Sequence, residues 1–223
     1  MSADFHADFA QLVGQKFYPC VAAVQSLAKR DYVMLKASEF GRGVDRDRIR
    51  TAIFDFIAKW KESRSTTYTL WVTYPNDTTT SEDEFEKKMW EELSALTSVE
   101  EREEDWSPKW SMDPESKRFT LCVGGHAFFV VGLHPQSSRE GRKFPYPALI
   151  FNVYDQFEDL MSQNAYVPMV NKNRERDSRF SGSVNPMAER HGDEWETIQF
   201  SGKTNSDQWR CPFHFKSRDE LKK

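Results

Sequence analysis

The sequence predicts a single α+β domain, residues 1–223, in which a small, mainly antiparallel sheet with a central hairpin packs with several helices. Three observations support this prediction. An apolar stripe at helical spacing occupies residues 46–61, two β-rich runs meet at Gly124 and Gly125, and a short apolar run follows at residues 148–152. The length suits one large domain, and no repeat, low-complexity tract or linker divides the chain.

The first half of the chain is predicted to be mostly helical. Within residues 46–61, apolar side chains recur at steps of three and four, and Asp45 is placed to cap the start. The β-branched and aromatic run at residues 68–74 predicts a strand. Ser81, with Glu84 three residues later, forms a capping-box pattern ahead of a second apolar stripe and so predicts a second helix.

The second half is predicted to hold most of the sheet. The runs at residues 118–123 and 126–133 flank the two glycines, which is the pattern of a two-residue hairpin turn. The apolar run at residues 148–152 predicts a buried strand. Three further segments complete the prediction: a helix at about 155–161, a charged loop at 174–183 and a short helix at 185–192.

Composition excludes several classes of protein. The chain is 38% hydrophobic and 14% aromatic, which is too apolar for a disordered chain. A formal net charge of -4 provides no basic field for nucleic acid. No apolar run is long enough to span a membrane, and the first residues lack the signal-peptide pattern. The three cysteines, Cys20, Cys122 and Cys211, form no CxxC pair. We therefore expect a reducing, cytoplasmic location with no membrane partner.

His134 is the first candidate for chemistry, because it ends an apolar strand and begins a polar loop. The loop carries Arg139, Arg142 and Lys143, whose side chains could hold carboxylates or phosphates. A structural or surface histidine and a solvated loop are the alternative interpretations.

Two further groups could carry chemistry. Asp155 and Glu158 are three residues apart and would share a helix face, where they could hold a cationic substrate. Their alternative role is to stabilise the helix N-terminus. Cys211 precedes a proline among aromatic residues, and its thiolate could ligate iron, whereas a buried, inert thiol is the alternative.

Several stretches of the chain resemble the YqcI/YcgG family. Residues 132–144 begin Gly-Leu-His-Pro-Gln-Ser-Ser-Arg, similar to the family's His-Pro-x-Ser-Ser-Arg stretch, and residues 151–158 read Phe-Asn-Val-Tyr-Asp-Gln-Phe-Glu. The other matching stretches are Phe-Tyr-Pro-Cys at 17–20, Arg-Asp at 176–177, Gly-Ser-Val-Asn-Pro at 182–186 and Trp-Arg-Cys-Pro-Phe at 209–213. The resemblance spans nearly the whole chain and is dense only in its second half.

The resemblance implies a haem b protein that hydroxylates a guanidine nitrogen of arginine or a related guanidino compound. The oxidant would be dioxygen, with an electron donor, or peroxide. His134 is then expected to be the axial iron ligand. The other expected roles are propionate pairing by Arg139 and Arg142, hydrogen bonds from Ser137 and Ser138, guanidinium binding by Asp155, Glu158 or Asp177, and macrocycle packing by Phe151, Phe157, Trp195 and Trp209.

The chain departs from the family at one informative position. Family members often carry a histidine where this chain has Tyr154, and Val153 replaces a proline. Tyrosine can also ligate haem iron, so Tyr154, His191 and Cys211 are alternative ligands to His134. Two other functions remain open at this point: a non-catalytic haem-binding or haem-sensing protein, and a cofactor-free domain that binds small anions.

Overall fold

The computed structural model describes residues 4–97, 105–186, 196–217 and 219–221. These residues form a single α+β domain in which helices flank one five-stranded sheet, and the predicted fold class is confirmed. In chain order the elements are α1 (Phe5–Val13), α2 (Val21–Lys29), β1 (Tyr32–Lys36), α3 (Arg46–Ser63), β2 (Thr69–Thr73), α4 (Glu82–Ala95), β3 (Leu121–Val123), β4 (His126–Leu133), β5 (Ala148–Val153), α5 (Tyr154–Ser162) and α6 (Tyr166–Ser181), with short 3-10 helices at Glu140–Arg142 and Glu196–Gln199.

The sheet has the strand order β1-β2-β5-β4-β3. Strands β1 and β2 pair in parallel, and the other described pairings are antiparallel. Gly124 and Gly125 join β3 to β4 with φ angles of 59° and 76°, the left-handed conformation that a two-residue hairpin turn requires. Because β3 is an edge strand, the hairpin lies at the margin of the sheet and not at its predicted centre.

The two faces of the sheet bury different sets of side chains, because successive residues of a strand point to opposite sides. One face packs under α3 and α4 and includes Leu70, Phe128 and Val130. The other face packs with α1 and the segment before β5, and it includes Trp71 and Ile150. This alternation decides which residues of β4 can reach the candidate site.

The predicted helix starts are confirmed, although their caps differ in detail. Asp45 precedes α3, but its carboxylate accepts hydrogen bonds from the Ser38 amide at 2.5 Å and from the Arg48 guanidinium, and it does not cap a backbone amide of α3. Ser81 caps α4 by accepting a hydrogen bond from the Glu84 amide at 3.1 Å. The Glu84 carboxylate bonds the amide of Thr80, one residue before the position that the capping-box pattern predicts.

The predicted loop at residues 174–183 is wrong, because residues 174–181 form the second half of α6. Its charged sequence shows no apolar stripe, so its helical state depends on contacts with the rest of the protein. Arg176 donates to the carbonyl oxygen of Tyr18 at 2.6 Å, and Asn173 accepts from the Val21 amide at 2.9 Å. Gly182, with φ 76°, ends the helix. Most of the predicted helix at 185–192 lies outside the described residues.

The end of β4 packs tightly against α4. The Gly132 amide donates to the Phe200 carbonyl at 2.7 Å, and a Cβ atom at this position would lie 2.6 Å from a ring carbon of Phe85. His134 stacks on the same Phe85 ring, with centroids 4.1 Å apart and planes 16° apart. Its imidazole is fully buried, and neither ring nitrogen has a hydrogen-bond partner among the described residues. Burial lowers the pKa of His134 to about 4.

No helix among the described residues has both the length and the apolar character that a membrane crossing requires.

Replacing Gly132 by alanine should destabilise the fold, because the added methyl group would overlap Phe85. We expect the free energy of unfolding to fall by about 1 to 3 kcal/mol, measured by urea denaturation. Adding Phe85→Leu, which removes the overlapping ring, should make the double variant lose less than the sum of the single losses. Additive losses would show that the contact with Phe85 is not the cause.

His134 should make stability depend on pH. The unfolded protein binds a proton on this imidazole near its ordinary pKa of 6.5, whereas the folded protein binds it only near pH 4. The contribution of neutral His134 to the free energy of unfolding is therefore complete above about pH 6.5. As the pH falls toward 4, protonation of the unfolded protein removes about 2 to 3 kcal/mol of stability. Denaturation of wild type and His134→Gln between pH 7 and 4 should show a smaller acid-induced loss in the variant. Identical pH profiles would contradict this assignment.

Candidate functional site

A cavity of about 460 Å³ lies on the sheet face opposite α3 and α4, between β4, α5, α6 and the turn before α2. This volume is within the range of small-molecule sites. Phe129 and Val131 of β4 form part of its wall, because they point away from the core residues Phe128 and Val130. Six of the 23 lining residues are aromatic: Tyr18, Trp110, Phe129, Tyr154, Phe157 and Tyr166.

Tyr154 stands at the junction of β5 and α5, where the strand passes directly into the helix. Gln156 fixes this junction by accepting a hydrogen bond from the Val153 amide and donating to the carbonyl oxygens of Ser65 and Tyr68. The Tyr154 ring faces the cavity and packs with Trp110 at a centroid distance of 4.4 Å. Burial, with the charge of Glu196 adding to it, raises the pKa of Tyr154 well above its usual range.

Glu196 was missed by the sequence analysis. It begins the 3-10 helix Glu196–Gln199 and lines the cavity, and its carboxylate oxygen lies 3.5 Å from the Tyr154 hydroxyl. Burial, with a contribution from the same carboxylate, raises the pKa of Tyr166 to about 12. No motif or periodicity marks Glu196, because only tertiary contacts bring it to this position.

Arg139 and Asp177 line the cavity and form an ion pair with each other at 2.7 Å. Arg139 also donates to the Ser183 carbonyl, and Asp177 also accepts from the amide of Asn185 and the hydroxyl of Ser181. These contacts connect the polar loop after β4 to the end of α6. Because the partners neutralise each other, the pair acts as a wall of the cavity.

Arg142 also lines the cavity, and the hydrogen bonds of its guanidinium to described residues go to backbone oxygen atoms. It donates to the carbonyls of Gly132 at 3.0 Å, Phe200 at 3.3 Å and Gln199 at 3.3 Å. In the part of the chain that the structure describes, no carboxylate forms an ion pair with it. Arg142 therefore places a positive charge at the cavity wall that attracts Asp177 but is not in ion-pair contact with it.

The two predicted acids of α5 have different surroundings. Glu158 lines the cavity at its rim, and both of its carboxylate oxygens contact the Lys109 ammonium, at 2.6 Å and 2.7 Å. Asp155 does not line the cavity and faces Nδ1 of His126 at 3.4 Å. The hydrogen bond with His126 lowers the pKa of Asp155. Of this pair, Glu158 alone is placed to meet a ligand in the cavity.

The prediction that His134 is an axial ligand does not fit the cavity. Val131 faces the cavity, and His134 lies three residues further on, so strand alternation turns its imidazole to the opposite face under α4. Ser137 and Ser138 are also directed elsewhere. Ser137 accepts from the Arg139 amide at 3.3 Å, and Ser138 donates to a carboxylate oxygen of Glu82 at 2.9 Å.

Of the remaining predicted haem contacts, some line the cavity and others do not. Phe157 lines the cavity, whereas Phe151 belongs to the core on the other face. Trp209 and Cys211 pack against that same core and are absent from the cavity lining. Burial raises the pKa of Cys211 to about 12, so its thiol stays protonated at neutral pH. His191 and Trp195 lie outside the described residues.

The cavity suits a flat apolar group better than a bare metal ion. No group of three or more His, Cys, Asp or Glu side chains among the described residues is arranged to hold a metal ion. No described histidine lines the cavity. The side chains in its walls that offer haem iron a donor atom are the tyrosines, the thioethers of Met161 and Met169, and Cys20, whose pKa is raised by burial. A haem group bound here would take one of these side chains as its protein ligand.

Residues 9–214 match the model of the YqcI/YcgG family. The chain is also 31% identical over 85 residues to the "Uncharacterized protein YqcI" of Bacillus subtilis (strain 168), an alignment that covers 38% of this chain and 33% of that protein. The aligned part therefore spans about a third of the relative's length. No solved structure matches at a significant level. Because the family model covers nearly the whole sequence, this chain belongs to the YqcI/YcgG family.

Proposed function

We propose that the cavity binds haem b and that the protein is a haem-dependent N-oxygenase acting on a guanidino compound. The observation that carries this proposal is the position of Tyr154. Tyr154 lines the cavity, with its hydroxyl 3.5 Å from the carboxylate of the lining residue Glu196, at the position where members of the resembled family often carry a histidine. Tyr154 thus replaces His134 as the proposed iron ligand, through a phenolic oxygen of the kind that holds haem in catalases.

When bound, the haem supplies the iron centre that activates dioxygen or peroxide for oxygen transfer to nitrogen. The protein's own residues have other tasks. Phe129, Val131 and Phe157 form apolar walls that exclude water. Trp110 packs on the Tyr154 ring and limits its rotation. The Glu196 carboxylate is placed to accept the phenolic proton of Tyr154 when its oxygen becomes a ligand.

Substrate recognition is assigned to Glu158, because Glu196 is used as the proton acceptor of Tyr154. The Glu158 carboxylate can accept the paired N–H groups of a guanidinium. Arg142, which has no described acidic partner, is placed to bind a carboxylate. That carboxylate belongs either to the substrate or to the haem.

The alternative of a cofactor-free anion site in the loop after β4 receives less support. Arg139 is already paired with Asp177 at 2.7 Å, and Lys143 with Glu140 at 2.5 Å. A haem sensor that binds iron through Cys211 is also disfavoured, because this thiol lies outside the cavity lining.

Titration with haem tests the proposal. Purified apoprotein should take up one equivalent and develop a Soret band, and Tyr154→Phe should shift or abolish it, because the ligating oxygen is removed. His134→Gln should keep the wild-type spectrum, since His134 lies on the other face of the sheet. A wild-type protein that takes up no haem would refute the haem proposal. An unchanged spectrum in Tyr154→Phe would refute this ligand.

Arg142 should distinguish ligands that carry a carboxylate. We expect Arg142→Met to weaken the binding of L-arginine about ten- to a hundred-fold, the effect of losing one charge-assisted contact. Binding of agmatine, which has the guanidinium but no carboxylate, should change little and reports whether the fold is intact. Titration calorimetry gives both constants. Equal losses for the two ligands would indicate a structural role, and reduced haem affinity with unchanged arginine binding would assign Arg142 to a propionate.

A further inference from the structure

We propose that Lys109 occupies the cation position beside Glu158 in the ligand-free protein and that a cationic ligand must displace it. This inference rests on the proposed function, because it assumes that Glu158 recognises the guanidinium. It assigns to Lys109, which belongs to none of the family-like motifs, a role in setting ligand affinity.

The contact has the geometry of a bound cation. The Lys109 ammonium lies 2.7 Å from one oxygen of Glu158 and 2.6 Å from the other, so it engages the whole carboxylate. A guanidinium recognised by Glu158 would need those same two oxygens. The Glu158 hydrogen bond is also the main cause of the raised pKa of Lys109. The ammonium therefore stays charged and competes at any physiological pH.

The Lys109 side chain can leave without moving its backbone. The Lys109 carbonyl accepts a hydrogen bond from the Arg118 guanidinium at 2.5 Å. Nearby, the Trp106 indole donates to the Ser111 carbonyl at 3.2 Å, and Trp106 is buried in the core. The next residue, Trp110, packs against Tyr154. The segment that bears Lys109 is thus anchored on both sides, and the exchange requires only rotation of a flexible side chain.

The exposure of the Lys109–Glu158 ion pair allows a ligand to replace Lys109. The Lys109 and Glu158 side chains are 58% and 49% exposed, so water screens their attraction and replaces it when the pair opens. A buried pair such as Arg139–Asp177, with both side chains 12% exposed, would not open at comparable cost. Lys109 is therefore suited to competing with a ligand without permanently closing the site.

A competitor has a characteristic effect on affinity. Lys109 reduces the fraction of protein in which Glu158 is open, so it weakens every ligand that needs Glu158 by the same factor. A residue that contacts the ligand directly would instead affect chemically different ligands to different extents. From the usual strength of exposed ion pairs, we expect that factor to be about two- to five-fold.

The test is calorimetric titration of the full chain with L-arginine and agmatine. Lys109→Met should tighten both ligands by the same factor, about two- to five-fold. Lys172→Met is the matched control, because it breaks a similarly exposed ion pair, Lys172–Glu175, whose residues are not part of the cavity lining, and it should leave both affinities unchanged. Glu158→Gln should weaken both ligands.

A second measurement follows Lys109 directly. In wild type, saturating L-arginine should increase the modification of Lys109 by an amine-reactive reagent relative to that of Lys172, measured by mass spectrometry. The ratio of the two lysines corrects for the reagent that the α-amino group of L-arginine consumes. Unchanged affinities in Lys109→Met, or protection of Lys109 by the ligand, would overturn the inference and leave the proposed function standing. Failure of both ligands to bind wild type, Lys109→Met and Lys172→Met alike would instead overturn the proposed substrate class together with this inference.

Discussion

The alternation of side chains along β4 is the constraint on which the rest of the structure depends. Phe128 and Val130 are fully buried under the helices of one face, whereas Phe129 and Val131 form the wall of the cavity on the other. Because β4 pairs with both β3 and β5, its register is fixed from two sides. The core and the cavity therefore lie on opposite sides of the same strand. A change in the register of β4 would exchange the residues that face them.

Charged residues connect the opposite sides of this cavity. The loop after β4 directs Arg139 to Asp177 of α6, and Arg142 to the carbonyls that end the segment Glu196–Gln199. Each arginine thus connects β4 to an element on the far side of the cavity. The same contacts explain why α6 is helical although its sequence has no apolar stripe: its partners lie in distant parts of the chain.

Most of the fold could be predicted from the sequence, but only part of the site. The α3 stripe, the Ser81 cap and the Gly124-Gly125 turn each depend on residues that are close in sequence. Such patterns predict local structure without knowledge of the tertiary contacts. Tyr154 and Glu158 lie in a recognisable motif and reach the cavity. His134 lies in an equally recognisable motif and does not, because the face of a strand residue depends on register and on where the helices pack. Glu196 could not be found from a pattern, since its position is defined by contacts distant in sequence.

The direct passage of β5 into α5 has a further consequence for how this family can diversify. Val153 ends the strand, Tyr154 begins the helix, and Gln156 ties the junction to the segment before β2. With no intervening loop, the position of the side chain at 154 is dictated by the backbone and not by its own identity. Replacing the tyrosine at 154 by a histidine, or the reverse, would change the donor atom presented to a bound group and leave the surrounding structure as it is. The same backbone can therefore hold either side chain at position 154, and the change of a single codon would alter which chemical group lines the cavity.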